Sequence, residues 1–274
     1  MFKQSLPGRQ GEQGGVGSRL HVSQLKKAFG PVESAHTLAI EDVSFDVDES
    51  EFLSIVGPSG CGKSTLLQIV AGLIPATSGA VHVDDRLVTE PPEGLVYVFQ
   101  QYGRSLFPWR TTLENVMFAV QRKLGKAEAR EHSREYLKKV GLQDFENHYP
   151  WQLSGGMQQR VVIARALAAQ PKVLLLDEPF SSVDALTRIE LHELILDLWT
   201  KHRFTAVLVT HDVDEAIYLA DRVLVLSKRP TVALESIPTG IPRPRHPIES
   251  RETPEFLKLR HELLGRLLGA NRNG

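Results

Sequence analysis

The feature that most constrains this chain is a glycine-rich octet, Gly57–Ser64, with the sequence GPSGCGKS. An apolar run, Phe52–Val56, precedes it and predicts a buried strand, and the segment from Lys63 to Leu73 follows it and predicts a helix. Glycines let successive backbone N–H groups curl round an anion, and the start of the helix adds a partial positive charge. Since the octet fits G-x-x-x-x-G-K-[ST] without a mismatch, it predicts a phosphate-binding loop between a strand and a helix.

Two side chains of this loop carry the chemistry of a nucleoside triphosphate site. Lys63 is expected to reach the β- and γ-phosphates, and the Ser64 hydroxyl is expected to ligate Mg²⁺. Cys61 has an ordinary interpretation as a small residue that fills the loop. The alternative to the whole site is a glycine-rich turn without a ligand. The candidate nucleotide-binding residues of the loop are Gly57, Pro58, Ser59, Gly60, Cys61, Gly62, Lys63, Ser64 and Thr65.

A second half of the site is predicted where the apolar run Val173–Leu176 leads directly into Asp177 and Glu178. A buried strand would deliver both carboxylates at its C-terminal end, which is where α/β sheets bind ligands. Asp177 can hold Mg²⁺ through water, and Glu178 can polarise an attacking water as a general base. The alternative is an acidic strand end on a solvated loop.

The order of predicted elements indicates an α/β fold with a mainly parallel sheet, because strands alternate with helices. Apolar–polar alternation near residues 20–22 and 43–47 predicts half-buried antiparallel strands. The mostly helical stretch 102–155 predicts an inserted helical subdomain. The predicted buried strands are Phe52–Val56, Leu95–Phe99, Val173–Leu176 and Ala206–Val209; the predicted helices are Lys63–Leu73, Leu113–Lys123, Glu128–Val140, Met157–Ala169, Ala185–Lys201 and Val213–Leu219.

Composition excludes several classes of protein. With 32 Lys and Arg against 33 Asp and Glu, the net charge is −1, which argues against bulk electrostatic binding to nucleic acid. The single cysteine excludes a disulfide framework and a cysteine-cluster zinc site. Residues 1–20 contain no continuous apolar run, so no signal peptide is expected. The glycine-rich residues 1–18 predict a disordered lead.

The segment Leu153–Arg160, LSGGMQQR, makes the assignment specific, because it resembles the signature sequence of ATP-binding cassette (ABC) ATPases and lies upstream of Asp177 as that family requires. The resemblance implies a P-loop NTPase of ABC type over residues 19–228, with an antiparallel β-subdomain and the inserted helical subdomain. Ser154 can cap a helix, and Gly155 and Gly156 can expose N–H groups to an anion. In the family this helix completes the ATP site of a second ATP-binding subunit, which implies a dimer, expected to be a homodimer, with a close relative as the alternative partner. An ordinary capped helix is the alternative.

Four further residues match motifs of the family one at a time. By resemblance, Gln100 senses Mg²⁺ and the attacking water, although Gln101 is adjacent; Asp184 lies in the loop that crosses to the partner, and His211 contacts the γ-phosphate. Phe29 occupies the place of the aromatic residue that stacks on adenine. A packed Phe29 and a structural His211 are the alternatives. The implied catalytic residues are Lys63, Gln100, Glu178 and His211; the implied Mg²⁺ ligands are Ser64, Gln100 and Asp177; Phe29, Ser154, Gly155, Gly156 and Asp184 complete the implied ATP contacts.

The resemblance also separates classes of ABC protein. The insert between Gln100 and Ser154 suits a helical subdomain, whereas chromosome-maintenance relatives insert long coiled coils. A detached transporter ATPase is therefore expected, peripheral on the cytoplasmic face of the membrane. It would dock on transmembrane permease subunits beside Gln100, with a solute-binding protein involved only indirectly and no nucleic-acid partner. The alternative is a soluble ABC-type ATPase that acts on nucleic acid or another assembly.

The expected cargo rests on likeness to one subgroup. Phe107–Arg110, FPWR, and the Pro-Arg-Pro-Arg run at 242–245 resemble the nitrate, sulfonate and taurine importers. The hypothesis is thus an ATPase coupled to uptake of a small solute of that kind. Phe107 and Trp109 are expected to contact the membrane partner, with local packing as the alternative. Residues 229–274 form a predicted C-terminal extension whose amphipathic helix, Pro254–Leu268, docks on the protein's own core or makes a regulatory or membrane contact.

Overall fold

The computed structural model describes residues 18–30 and 37–272. The predicted disordered lead therefore lies outside the described residues, except for Ser18. The strands are β1 Ser18–Phe29, β2 Thr37–Asp48, β3 Phe52–Val56, β4 Ser78–Val83, β5 Arg86–Leu87, β6 Leu95–Val98, β7 Val173–Asp177, β8 Thr205–Thr210, β9 Arg222–Leu226 and β10 Thr231–Pro238. The α-helices are α1 Lys63–Val70, α2 Tyr102–Ser105, α3 Thr112–Met117, α4 Gln121–Leu124, α5 Lys126–Lys139, α6 Gly155–Ala168, α7 Ala185–His202, α8 Val213–Leu219, α9 Glu249–Glu252 and α10 Pro254–Arg272.

Within the described residues, one sheet joins the parallel and antiparallel parts of the fold, in the order β5-β4-β1-β2-β10-β9-β3-β8-β7-β6. Strands β9, β3, β8, β7 and β6 run parallel, so their carboxyl ends meet at one edge. Strands β5, β4, β1 and β2 pair antiparallel; the alternating sequence predicted β1 and β2, and β4 and β5 were not predicted. The parallel part therefore brings the loops after β3, β6, β7 and β8 together at a single edge.

Alternate side chains of the parallel strands face two separate cores. Val173 and Leu175 pack with α1 and the antiparallel strands, whereas Leu174 and Leu176 pack with the helices of the opposite face. Since every residue of β3, β7 and β8 is buried, these strands read as continuous apolar runs. This explains why their predicted bounds are close to the observed ones.

Two predicted helices were too long. Helix α1 ends at Val70 rather than Leu73, because Gly72 has a φ of +68° and a Cβ there would lie 2.6 Å from the carbonyl oxygen of Glu90. The predicted helix Leu113–Lys123 is divided into α3 and α4, since the chain leaves the helix after Met117. Helix α3 begins with a capping box in which Thr111 and Glu114 bond each other's backbone N–H.

The C-terminal part contributes to the sheet as well as covering it. Strand β10, which the sequence did not predict, pairs with β9 on one side and with β2 on the other. Helix α10 buries Phe256, Leu259 and Leu263 in the core that contains α8, so its apolar face docks on the protein itself. Among the described residues, no helix combines the length and apolar content needed to cross a bilayer.

Candidate active site

The phosphate-binding loop connects β3 to α1 as predicted. Gly60 and Gly62 have φ angles of +74° and +109°, in the left-handed region that side chains disfavour. Gly62 is the residue before the first turn of α1, so the loop's N–H groups and the helix start share one concavity. Lys63 is only 5% exposed, and its Nζ donates hydrogen bonds to the carbonyl oxygens of Gly57 (2.8 Å) and Pro58 (3.0 Å). The loop therefore holds its own cation where an anion would sit.

A hydrogen-bonded trio joins this loop to the end of β7. The Ser64 hydroxyl donates to Oδ1 of Asp177 over 2.9 Å, and the Tyr97 hydroxyl donates to Oδ2 over 2.8 Å. Burial raises the pKa of Asp177, while the bonds from Tyr97 and Ser64 lower it and so moderate the rise. Burial next to Asp177 also raises the pKa of Tyr97, which keeps that phenol protonated as a donor. Two hard oxygen donors, Ser64 and Asp177, thus lie side by side at the phosphate loop.

Glu178 is the meeting point of three loops. Its Oε2 accepts a hydrogen bond from Nε2 of Gln100 over 3.0 Å and lies 3.2 Å from Nδ1 of His211. The Glu178 backbone has a φ of +43° and its N–H donates to Val209 O over 2.9 Å. A non-glycine residue held in this region is strained, and such strain concentrates at functional sites. The predicted residues Gln100, Glu178 and His211 are therefore brought together at one carboxylate oxygen.

The neighbouring glutamines point to different places. Gln100 contacts Glu178, whereas Gln101 lines a groove between β6 and the helical subdomain. That groove has a volume of about 710 Å³ and is largely apolar, with Phe99, Phe107 and Phe118 in its wall. Gln100 thus lies against the Glu178 carboxylate, and Gln101 belongs to a separate surface.

The signature segment packs against the start of α7. Ser154 caps α6, accepting a hydrogen bond from the Met157 N–H over 3.3 Å, as predicted. A Cβ at Gly156 would lie 2.4 Å from Cγ2 of Thr187, so only glycine permits this approach. Thr187 in turn donates its N–H and its hydroxyl to Asp184, at 3.0 and 2.7 Å. The two predicted partner-facing features, Ser154 and Asp184, are consequently held beside each other.

The predicted site residues therefore form two groups. One contains Lys63, Ser64, Gln100, Asp177, Glu178 and His211; the other contains Ser154, Gly155, Gly156 and Asp184. Among the described residues, no hydrogen bond joins a member of one group directly to a member of the other. Arg188 links the two groups indirectly. Its Nη2 donates a hydrogen bond over 3.3 Å to the carbonyl oxygen of Val183, the residue before Asp184, and its Nη1 lies 3.7 Å from Oδ2 of Asp212, the residue after His211.

Phe29 and Cys61, two of the predicted nucleotide contacts, differ in their exposure. Phe29 is 44% exposed, and Nζ of Lys27 lies over one face of its ring, 4.9 Å from the ring centre. The ring is therefore partly exposed among the described residues. Cys61 is 1% exposed, and burial raises the pKa of its thiol. The Cys61 side chain fills space under the loop, since a Cβ at Gly57 would lie 3.0 Å from its sulfur.

Asn115 is a structural residue that the sequence reasoning did not single out. It is fully buried, and its Nδ2 donates to the carbonyl oxygens of Phe107, Arg110 and Thr111 at 3.0–3.1 Å. Its Oδ1 accepts from the Phe107 N–H over 2.8 Å. The loop Phe107–Thr111 is therefore fixed around one side chain, and Trp109 projects from it with 70% of its surface exposed. An asparagine eight residues after an aromatic pair carries no sequence pattern that would reveal this.

Tyr97 was also missed, because its contact with Asp177 depends on the pairing of β6 with β7 and not on nearby sequence. A polar aromatic residue in an otherwise apolar strand was the available signal.

Comparison with known proteins places this site in a family. The sequence model described as ABC transporter matches residues 40–181. An uncharacterized ABC transporter ATP-binding protein of Methanocaldococcus jannaschii is 46% identical over 247 residues, which cover 90% of each chain. The chain belongs to the ABC transporter family. It is an ABC ATPase cassette, and the predicted fold class is confirmed.

Other relatives of the cassette carry the names of import systems. The nitrate import ATP-binding protein NrtD of Synechococcus elongatus is 42% identical over 89% of this chain and 90% of its own. The bicarbonate transport ATP-binding protein CmpD of Synechocystis sp. is 43% identical over 89% of this chain and 87% of its own. The predicted resemblance to the nitrate importers is therefore confirmed.

A solved relative shows the same fold in a nucleotide-bound state. The dimeric structure of a post-hydrolysis state of an ATP-binding cassette bound to ADP and Pi matches with a TM-score of 0.70 and 34% identity. The match covers 80% of this chain and 98% of that one.

Proposed function

We propose that this cassette is the ATP-hydrolysing subunit of an importer for a small anionic solute. The observation that carries the transport assignment is the rigid loop Phe107–Thr111, which holds an exposed Trp109 beside the apolar groove at Gln101. An exposed aromatic side chain and a large apolar groove mark a surface for a protein partner.

The hydrolysis step uses the first group of site residues. Backbone N–H groups of the phosphate loop and Lys63 bind the β- and γ-phosphates and offset charge that develops during transfer. Glu178 polarises the attacking water, while Gln100 and His211 hold its carboxylate in place; His211 also lies at the γ-phosphate end of the site. These groups act mainly by positioning, which is the dominant contribution in phosphoryl transfer.

A Mg²⁺ ion fits the donors at the phosphate loop. The Ser64 hydroxyl and the Asp177 carboxylate, 2.9 Å apart, are oxygen donors of the type that Mg²⁺ prefers, and Mg²⁺ sites use few protein ligands beside phosphates and water. Ser64 and Asp177 would hold the ion, and Gln100, which contacts the neighbouring Glu178, is the third ligand that the family resemblance implies. When bound, Mg²⁺ neutralises phosphate charge.

The second group of residues supports a dimer of cassettes. Ser154, Gly155 and Gly156 present a helix N-terminus, which favours an anion, yet none of them bonds the chain's own phosphate loop in the described residues. A second cassette placed head to tail would supply its nucleotide to this helix, with Asp184 beside it. Phe29 would stack on the adenine of the chain's own nucleotide.

The permease is proposed to dock in the groove beside Gln101, at the membrane's cytoplasmic face. ATP binding closes the two cassettes and hydrolysis reopens them, and the groove passes this motion to the membrane subunits. The cargo is inferred from the relatives named for nitrate and bicarbonate, both small oxyanions. A solute-binding protein would deliver it to the permease.

The test compares the wild type with Trp109→Ala. The tagged cassette is purified from solubilised membranes of its own cells, and uptake of labelled nitrate, bicarbonate and taurine is measured in cells carrying each variant. We expect a multi-spanning membrane protein to co-purify with the wild type, and Trp109→Ala to lose uptake while retaining basal ATPase activity. Leu87→Ala, an exposed apolar residue at the opposite edge of the sheet, is the matched control. Normal uptake by Trp109→Ala would overturn the docking assignment, and nucleic-acid-stimulated ATPase activity without a membrane partner would overturn the transport function.

A further inference from the structure

A buried imidazole lies between the two loops that carry Glu178 and His211. His192, on α7, is 2% exposed, and its Nε2 lies 2.8 Å from Oε1 of Glu215 in the first turn of α8. The same ring packs edge-on against Phe180, with centroids 4.8 Å apart and planes at 85°. Phe180 follows Glu178 by two residues, and α8 begins two residues after His211. The His192 side chain therefore contacts both the loop that follows Glu178 and the helix that follows His211.

The C-terminal extension reaches this imidazole with a cation. Nη2 of Arg251, on α9, lies 3.2 Å from Nδ1 of His192, and the guanidinium sits over the ring of Tyr218 at 4.7 Å. A guanidinium can only donate, so Nδ1 must be the unprotonated acceptor of the ring. The ring proton then belongs to Nε2, whose N–H donates a hydrogen bond to Glu215. Glu215 and Arg251 thus agree on one tautomer, and Arg251 fixes the orientation of the ring by donating to Nδ1.

The charges of Arg251 and Glu215, on either side of His192, balance each other. Glu215 is 4% exposed, and a buried carboxylate requires hydrogen bonds and a compensating charge. Arg251 and Glu215 bracket the neutral imidazole, so the positive and negative charges balance across the ring. The neighbouring charges have their own partners: Arg188 lies against Asp212, and Arg260 lies 3.1 Å from Asp214. Arg251 is therefore the cation that faces His192.

We propose that Arg251 is a positioning residue for ATP hydrolysis, acting through His192 on the first turn of α8 and on the loop after Glu178. Glu215 donates its backbone N–H to Asp212 over 3.1 Å, and Asp212 directly follows His211. A shift of the Glu215 turn consequently moves the base of His211, whose contact with Glu178 spans 3.2 Å. The inference rests on the proposed catalytic roles of Glu178 and His211.

The test measures kcat and KM for ATP in purified Arg251→Met and Arg251→Lys cassettes. We expect Arg251→Met to lower kcat about tenfold with little change in KM, because misplacement of catalytic groups costs rate and not phosphate binding. Arg251→Lys retains a donor and is expected to recover part of the loss. Arg266→Met is the matched control, since Arg266 lies in the same extension but pairs with Glu235 and Glu262, away from α8.

A second readout reports on the ring itself. Cassettes labelled with ¹⁵N-histidine are examined by NMR, with the His192 signals assigned from a His192→Gln variant. The wild type should show an Nε2-protonated ring, and in Arg251→Met the Nδ1 signal should shift, because that nitrogen loses its hydrogen-bond donor while Nε2 still donates to Glu215. The proposal is overturned if Arg251→Met keeps the wild-type kcat, if Arg266→Met loses as much, or if the Nδ1 signal is unchanged. Wild-type turnover in Glu178→Gln would instead overturn the catalytic assignment, and the NMR result would still test Arg251.

Discussion

At the scale of single residues, the candidate site converges on one carboxylate oxygen. Oε2 of Glu178 is approached by Gln100 and by His211, which come from the loops after β6 and β8. Because both neighbours contact the same oxygen, the second oxygen of the carboxylate has no partner within the described contacts and is available to a water molecule. This geometry suits the general-base role that we propose for Glu178.

The first prediction concerns this base. Glu178→Gln keeps the side-chain volume and removes the charge that polarises water, so we expect hydrolysis to slow by about 10²–10⁴-fold while ATP still binds. Single-turnover hydrolysis and equilibrium binding of labelled ATP measure the two effects separately. Wild-type turnover in this variant would remove Glu178 from the role of base.

The second prediction concerns Cys61, the single cysteine of the chain. Burial raises its pKa, so less thiolate is present at pH 8 than in an exposed cysteine. We expect iodoacetamide to modify the native cassette slowly at pH 8, with a rate that still rises at pH values where the rate for the unfolded chain has levelled off. Mass spectrometry of the intact chain gives the rate, and the unfolded chain in urea is the control. A native rate equal to the unfolded rate at pH 8 would contradict the burial.

At the scale of elements, the contact between α6 and α7 decides where the signature segment lies. Among the described residues, the atom nearest to a Cβ at Gly156 is Cγ2 of Thr187, at 2.4 Å; the next atoms, Cβ and Oγ1 of the same residue, lie at 3.6 Å. Oγ1 of Thr187 bonds Asp184, whereas Cγ2 makes no such contact. Steric fit and hydrogen bonding are thus divided between two atoms of one threonine.

The third prediction uses that division. Gly156→Ala should cost about 1–3 kcal/mol in the free energy of unfolding, because the added methyl group pushes α6 away from α7. It should also lower ATPase activity, since Ser154 moves with α6. The double variant Gly156→Ala with Thr187→Ser should recover both, because serine removes Cγ2 and keeps the hydroxyl. Thermal denaturation and ATPase assays measure both effects in the single and double variants, with Thr187→Ser alone as the control. If the double variant is no more stable or active than Gly156→Ala, the contact with Cγ2 of Thr187 is not the cause of the loss.

The elements show why part of the fold was predictable from sequence. Strand β3 was predicted with its observed bounds because a run that is apolar except for Ser54 leads into glycines that must turn. The site residues Asp177 and Glu178 followed from the same logic. The break between α3 and α4 was not predicted, because apolar spacing continues through residues where the backbone leaves the helix. Strand β10 was missed since its burial depends on β2 and β9, which are distant in sequence.

At the scale of the whole molecule, the two groups of site residues lie on one chain without a direct hydrogen bond between them in the described residues. One group has the phosphate loop and the base; the other has a helix N-terminus and the Asp184 loop. In a head-to-tail dimer each nucleotide would lie between the first group of one chain and the second group of the other. Each dimer would then contain two composite sites.

The last prediction tests this arrangement by complementation. Lys63→Ala disables the phosphate loop, and Ser154→Arg blocks the signature helix, so each variant alone forms dimers without an intact site. A mixed dimer has one site in which both defects meet and one site in which both halves are wild type. Mixing the two variants in equal amounts should therefore restore about a quarter of wild-type ATPase activity, since half of the dimers are mixed and each has one working site. Native mass spectrometry with ATP counts the mixed dimers.

If those dimers form and hydrolysis stays at the level of the separate variants, the signature segment does not complete the site of a second chain, or both sites must be intact for either to turn over. Trapping of one labelled ATP per mixed dimer separates these cases, because occlusion requires a composite site whether or not it completes a cycle.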